Sequence, residues 1–360
     1  MQNRSIYNSD HELFRENARR FFRSELEPNI EQWEEDSVVP RSLWEKAAEN
    51  GFLCCGVPEE YGGPGADFLY NMVLSEETGY AIGGASVGFS VQADIVAYYL
   101  LSAGTEDQKK YWLPKMVTAE KIAAIGMTEP GVGSDLKNLR TTAVRDGDEY
   151  VINGQKTFIT NGQNCDFVLV ACTTDPSAGG RGISLIIVET DRSGFSRGRN
   201  LSKIGQKAAD TSEMFFQDVR VPVSNLVGEE GEGFRIMMRE LPRERITIAC
   251  RAQAEAQRAF DITTDYVKER KAFGKAIFEF QNTQFTLAEM KTNLEVGWAY
   301  LDQCIKKCDE GVLTPEEGAM AKLWTTENEG VVVDKCLQLF GGYGYMSEYP
   351  ISRMYVDARV

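Results

Sequence analysis

Tyr150-Val-Ile-Asn-Gly-Gln-Lys-Thr-Phe-Ile-Thr-Asn-Gly162 decides how the chain divides. β-branched and aromatic residues recur among polar ones, the signature of strands with one buried face. Two Asn-Gly pairs, Asn153-Gly154 and Asn161-Gly162, suit the left-handed backbone of tight turns. A short apolar run at 121–127 precedes this stretch, and strand-like runs recur at 141–145, 167–173, 183–189 and 214–221, with Asp146-Gly147 as a further turn. The spacing predicts an antiparallel β domain over 121–228, a barrel or sandwich, with 150–152 and 155–160 as separate strands.

On both sides the period is helical. Residues 10–50 predict helix, with Asp10 as a cap and Leu13, Phe14, Phe21 and Phe22 on one face; Pro28 and Pro40 punctuate it. The turn formers of 57–65 make a loop. From 68 to 101 small residues (Gly79, Ala81, Gly83, Gly84, Ala85, Gly88) suit close helix packing or a pocket wall, together with Gln92, Ala93 and Val96. Thr105 caps a helix over 105–118. After 229, helix is expected over 231–270, kinked at Pro242, and again over 281–308. Thr314-Pro-Glu-Glu317 reads as an N-cap, a proline at N1 and a glutamate at N3, opening a helix to about Phe340 that Gly341-Gly-Tyr-Gly-Tyr345 breaks. The fold class is therefore α+β and multidomain: an N-terminal helical domain (1–120), a middle β domain (121–228) and a C-terminal helical bundle (229–360).

The net charge of −15 argues against a general binder of nucleic acid or anionic membrane. Arg197, Arg199, Lys203 and Lys207 cluster, but as a solvated surface. One histidine, His11, is expected at the surface; with no other, a multi-histidine metal site is impossible, so no metal is expected. Eight scattered cysteines without a CxxC pair suit a reducing compartment. No run is long and apolar enough for a membrane span, and Met1-Gln-Asn-Arg-Ser-Ile-Tyr7 lacks a secretory core. A cytoplasmic protein is expected, or a mitochondrial matrix one if this is a mature eukaryotic form.

Met127-Thr-Glu-Pro-Gly-Val-Gly-Ser-Asp135 is a glycine-rich loop with hydroxyls at Thr128 and Ser134. It lacks the GK[ST] of a P-loop and does not open a βαβ unit. In order, it is followed by Asn153-Gly-Gln-Lys-Thr-Phe-Ile-Thr-Asn-Gly162, Glu269-Arg-Lys-Ala-Phe-Gly274, Phe280-Gln281 and Gln338-Leu-Phe-Gly-Gly-Tyr-Gly-Tyr345. In that order these motifs closely resemble the acyl-CoA dehydrogenase family of flavoproteins, over nearly the whole chain.

The resemblance implies the same three domains, the last a four-helix bundle, and FAD between the β domain and the bundle. Ile125, Met127, Thr128, Gly133 and Ser134 would line the flavin, and Phe158 and Thr160 would cover and hydrogen-bond its ring. Many relatives carry Trp where this chain has Phe158. Arg270, Phe273, Gln281, Gln338, Gly341 and Gly342 match segments that reach the FAD of a neighbouring subunit, which implies a homodimer or homotetramer. Relatives continue past the segment matching Tyr355–Val360 into a loop and final helix, so that final segment is expected to be missing here.

Glu244, in Glu240-Leu-Pro-Arg-Glu-Arg245, is by itself a helix residue beside an arginine. Most relatives carry the catalytic glutamate on a C-terminal loop. The long-chain and isovaleryl types carry it on the long helix directly before an arginine, and this hexapeptide is closest to the long-chain type. By that resemblance Glu244 is the catalytic base, with Glu240 its competitor one turn away. Pro242, Arg243, Arg245 and Ser134 would contact substrate. The implied activity is α,β-dehydrogenation of an acyl-CoA thioester to a trans-2-enoyl-CoA, with electrons passed to an electron-transferring flavoprotein. A long or medium straight chain is expected first, a short branched one second. The alternatives are an acyl-CoA oxidase and a non-catalytic family member.

Overall fold

In the computed structural model, residues 4–360 are described; the expectation for Met1, Gln2 and Asn3 lies outside them. The chain opens with α1 (Ser9–Phe21), which runs through a π-helical turn, Phe22–Leu26, toward α2 (Ile30–Asp36) and α3 (Arg41–Glu49). Asn8, not Asp10, caps α1: its side chain accepts from the Asp10 and His11 backbone N–H groups. His11 returns the bond, its Nδ1 facing the Asn8 N–H at 3.2 Å, which draws the ring inward. It is therefore buried, 4.4 Å from the Tyr70 ring, and not on the surface. Leu13, expected on the buried face with the phenylalanines, points outward at 60% exposure.

α4 (Phe68–Tyr80), a π-helical turn (Val91–Val96), α5 (Ala97–Ala103) and α6 (Glu106–Val117) complete the first helical part. Its small residues serve packing. A Cβ at Gly79 would meet the Arg251 carbonyl oxygen at 2.5 Å, and one at Gly88 would meet Asn161 at 1.9 Å. Gln92 is a buried tie: its amide donates to the Met116 carbonyl at 2.7 Å and accepts from the Ala123 N–H at 2.8 Å.

One eight-stranded sheet follows: β1 (Ala123–Gly126), β2 (Thr142–Asp146), β3 (Glu149–Thr160), β4 (Phe167–Thr173), β5 (Ile183–Glu189), β6 (Phe195–Asn200), β7 (Thr211–Pro222) and β8 (Leu226–Val227), in the order β6-β7-β3-β2-β4-β5-β8 with β1 beside β4. Most pairs are antiparallel, but β1–β4 and the single β2–β4 contact are parallel. The expected turn at Asn153-Gly154 is a bulge inside one long strand. There β7 carries the extra residue, Asp218 at φ 52°, and clasps Asn153 through two hydrogen bonds of 2.9 Å.

The chain then enters α7 (Gly233–Glu269), a helix of 37 residues that continues through Pro242. A small hairpin, β9 (Lys271–Ala272) and β10 (Lys275–Ala276), leads to α8 (Gln281–Asp309), α9 (Pro315–Phe340) and the short α10 (Pro350–Asp357). α9 starts at the Thr314/Glu317 capping box and ends at Gly341, whose φ of 61° no helix continues. No helix among the described residues is long and apolar enough to cross a membrane.

Candidate active site

Glu240 and Glu244 stand one turn apart on α7, and the structure separates their roles. Both oxygens of Glu240 are engaged: Arg239 Nε donates at 3.1 Å and an Arg243 terminal nitrogen at 3.3 Å. Glu244 keeps one oxygen, Oε1, buried and without a hydrogen-bond partner among the described residues. Burial raises its pKa; the Tyr99 phenol and Arg243 pull it down, Glu240 pushes it up again and Arg245 opposes, and the net direction is upward. A desolvated carboxylate with a free oxygen is the stronger base of the two.

Around it, the Arg243 guanidinium carbon lies over the Tyr98 ring, 3.2 Å from the centroid, and its other terminal nitrogen is buried with no partner among the described residues. Arg245 makes no ion pair or side-chain hydrogen bond among the described residues. Pro242 faces the bundle, where its carbonyl lies 3.0 Å from where a Cβ on Gly318 would be.

The glycine-rich loop is held from below by a buried ion pair. Glu129 accepts from the Arg140 and Thr141 backbone N–H groups at 2.7 and 2.9 Å and from Lys156 Nζ at 2.8 Å. Burial alone would raise the Glu129 pKa, but Lys156 and these N–H groups hold it below the usual carboxylate range. Lys156 also donates to the Met127 carbonyl at 3.0 Å, and the Thr157 N–H to the Thr128 carbonyl at 2.9 Å. One residue on, β3 bulges: two of its residues, Thr157 and Phe158, oppose one of β7. Phe158 takes φ 59° and its ring turns out, 67% exposed. Phe158 and Thr160 then line a pocket of about 400 Å³ with Gln206, Val356 and Arg359. Ile125 and Met127 pack on the core cluster that holds Tyr99 and Met237, so the strand below the loop and the neighbour of Glu244 share one support. Gly133 and Ser134 are exposed on the loop.

A second pocket, about 620 Å³, gathers Arg270, Gln338, Gly341 and Gly342 with Tyr266 and Tyr343. The Arg270 guanidinium stands 5.4 Å from the Tyr343 ring centre. Phe273, at the β9–β10 turn with φ 53°, is 96% exposed, and Gln281 is exposed at the start of α8; neither lines this pocket. The two pockets share no residue within the chain.

A flat dinucleotide fits these surfaces. An outward aromatic ring beside the Thr160 hydroxyl suits a ring system, and a guanidinium fork suits a pyrophosphate. At Gly133, Gly341 and Gly342 nothing lies within 4 Å of an added Cβ, so backbone is open to a ligand at both places. Sequence reasoning missed Tyr99 and the Glu129–Lys156 pair. Tyr99 carries no signal, because only the packing of α5 on α7 puts it beside Glu244. Lys156 could have been flagged as a lysine in an otherwise apolar strand position.

Models of three domains match the chain: "Acyl-CoA dehydrogenase, N-terminal domain" over residues 8–120, the middle domain over 124–219 and the C-terminal domain over 231–360. The chain is 45% identical to the mitochondrial long-chain specific acyl-CoA dehydrogenase of Rattus norvegicus, over 99% of this chain and 83% of the relative. Among solved structures, an acyl-CoA dehydrogenase from Geobacillus kaustophilus is similar with a TM-score of 0.96 and 50% identity, covering 98% of this chain and 93% of that one. A chain in the structure of the electron transferring flavoprotein of Acidaminococcus fermentans is similar with a TM-score of 0.94 and 36% identity, covering 100% and 94%.

Proposed function

The chain belongs to the acyl-CoA dehydrogenase family, and from that we propose that it carries out FAD-dependent α,β-dehydrogenation of an acyl-CoA thioester, with Glu244 as the base. The product is a trans-2-enoyl-CoA, and the electrons pass to an electron-transferring flavoprotein. The observation that carries the assignment of the base is the free, buried Oε1 of Glu244 beside a fully paired Glu240.

Glu244 removes the weakly acidic α-proton, and its desolvation makes that transfer favourable. Bound FAD supplies the hydride acceptor. Phe158, Thr160 and the loop residues Ile125, Met127, Thr128, Gly133 and Ser134 would hold its ring. Arg270, Phe273, Gln281, Gln338, Gly341 and Gly342 would serve the FAD of a second copy, which accounts for a pocket that shares nothing with the first. Ser134, Pro242, Arg243 and Arg245 are the proposed substrate contacts. Arg245, with no ion pair or side-chain hydrogen bond among the described residues, has the strongest support among them and Pro242 the least.

A homodimer or homotetramer is part of the proposal. α9 exposes Met320, Leu323 and Trp324 on one face, with Val331 beyond. Domain division at 120 and 228 is supported by where the three family models begin and end. Eight free thiols support a reducing compartment, cytoplasm or matrix.

The purified protein should be yellow and bleach anaerobically with a medium- or long-chain acyl-CoA. Glu244→Gln should stay yellow and lose bleaching by at least about a hundredfold; near-normal bleaching would remove Glu244 as the base. Rapid reoxidation by air with peroxide formation would point instead to an oxidase, and a colourless protein that takes up no FAD to a binding role.

A further inference from the structure

The end of α10 forms one wall of the pocket that Phe158 and Thr160 line, through Val356 and Asp357. Gly205 and Gln206, in the turn between β6 and β7, form the wall beside it. The two walls are clasped. A Cβ on Gly205 would meet the Val356 carbonyl oxygen at 2.3 Å, so the turn lies directly on the helix end. Gln206 takes φ 47°, a left-handed backbone that is strained for a residue with a side chain. Its N–H donates to Asp357 Oδ1, and its side-chain amide donates to the Asp357 carbonyl at 3.4 Å. The seat of α10 therefore decides whether the pocket wall is complete.

Behind that seat the protein is acidic. Glu255 of α7, Glu329 of α9 and Asp357 are 8%, 4% and 4% exposed. Glu255 and Glu329 meet at hydrogen-bonding range. Two ionised carboxylates have no donor between them, so this bond exists only while one of the pair carries a proton. Without that proton Glu329 Oε1 is buried with no partner among the described residues. The cations nearby do not replace it. Arg251 serves Glu255 at 3.4 Å, and Arg353 of α10 is held by Glu34 of α2 at 2.8 and 3.2 Å. Lys203 of the turn donates to the Ala209 carbonyl at 2.6 Å, and Arg359 lines the pocket. Burial raises the pKa of all three acids. Glu255 pushes Glu329 further up, and Asp357 stands at about 7 although the Gln206 N–H pulls it down.

We propose that Glu255 and Glu329 form a one-proton lock under α10 that controls how firmly the pocket holds FAD. With the shared proton in place, α10 stays seated and the Gly205–Gln206 turn completes the wall. When the proton leaves, two facing carboxylates, with Asp357 beside them, push α10 and the turn away, and the pocket opens. The seated state binds these protons more tightly than the open one. Seating is therefore strongest below the ordinary carboxylate range, about pH 4, and is lost as pH rises through about 7, where Asp357 also ionises. That the retained ligand is FAD rests on the acyl-CoA dehydrogenase reading of the pocket; the seating of α10 does not.

The test compares the full chain at about pH 6 and about pH 8.5, on either side of the Asp357 value. The dissociation constant of FAD, read by ultrafiltration, should rise at least about tenfold over that range, the change that one linked proton gives per pH unit. Hydrogen exchange followed by mass spectrometry on the FAD-free chain, corrected for the intrinsic pH dependence of exchange, should show protection lost over residues 350–357 and 203–209 and kept in α8. Glu329→Gln offers Glu255 an amide donor in place of the proton, so it should remove most of both responses and hold FAD more tightly than the parent at the higher pH. The exchange measurement on the parent chain needs no variant, and serves if Glu329→Gln does not fold. Equal protection of α10 at the two pH values would overturn the proposal. So would a full pH response that survives in Glu329→Gln. A chain that takes up no FAD at either pH would instead overturn the dehydrogenase reading, while the exchange of α10 still decides the lock.

Discussion

A glutamate in a helix acts as a base only when its surroundings bind the proton more tightly than water does. Burial does this for Glu244, and the charge of Glu240 adds to it. The group must be deprotonated to act, so the rate of flavin reduction should rise with pH, with its midpoint above the ordinary glutamate value of about 4.3. Glu240→Gln removes a like charge and frees Arg243, and both changes lower the Glu244 pKa. The acid limb should then move to lower pH in stopped-flow bleaching; an unmoved limb would show that Glu240 does not tune the base. Asp94 makes a matching case for stability. Burial lifts its pKa from 3.8 to about 6. The folded state then holds the proton more tightly than the unfolded one, so this contribution is complete below about pH 4 and lost as pH rises through about 6. Ionised Asp94 therefore costs about 3 kcal/mol at neutral pH. Asp94→Asn should raise the melting temperature at pH 7.5 and lose that gain at pH 4, read by thermal unfolding at the two values.

Between neighbouring elements, two ionic clasps hold the parts that matter. Glu76 of α4, fully buried, receives Arg4, Arg15 and the Tyr7 hydroxyl, the last at 2.6 Å. Burial alone would raise its pKa, yet the two arginines lower it. Its stabilisation is thus present above the ordinary carboxylate pKa and lost as pH falls through the lowered one. Glu76→Ala leaves two buried guanidinium groups without it and should cost about 3–5 kcal/mol at pH 7, measured by denaturant unfolding. Lys156 does the same for the glycine-rich loop. Lys156→Met should cost a similar ~3–5 kcal/mol and weaken FAD retention, since Thr128 and Phe158 hang from the same three residues of β3. Retention unchanged in a folded Lys156→Met would detach the loop's position from this clasp. At this scale the sequence was only partly legible. Asn153-Gly154 announced an unusual backbone, but a turn and a bulge ask for the same residues. Only the pairing with Asp218 on β7 decided for the bulge. β6 escaped notice because Phe195-Ser-Arg-Gly-Arg-Asn200 is polar and only half buried.

For the molecule as a whole, the open question is what covers α9. Leu323→Glu with Trp324→Glu should shift the protein toward monomer in sedimentation velocity and lower its FAD content, because the Arg270 pocket would lose its partner. A monomer that keeps full FAD would separate assembly from cofactor binding.

The sequence by itself determined the alternation of helix, sheet and helix, because periods of 3.6 and 2 are written into the apolar positions. It also determined the capped starts at Thr105 and Thr314, which depend on residues three apart. Through ordered motifs it pointed to a flavin site and to Glu244. Tertiary structure alone decided which of two glutamates one turn apart keeps a free oxygen, since that depends on where Arg239, Arg243 and Tyr99 fall in space. It alone turned Phe158 outward, buried His11, and joined Asn71, Asp94 and Arg251 around one cavity. These residues are far apart along the chain, and desolvation, the force that gives them their chemistry, exists only once the helices have packed.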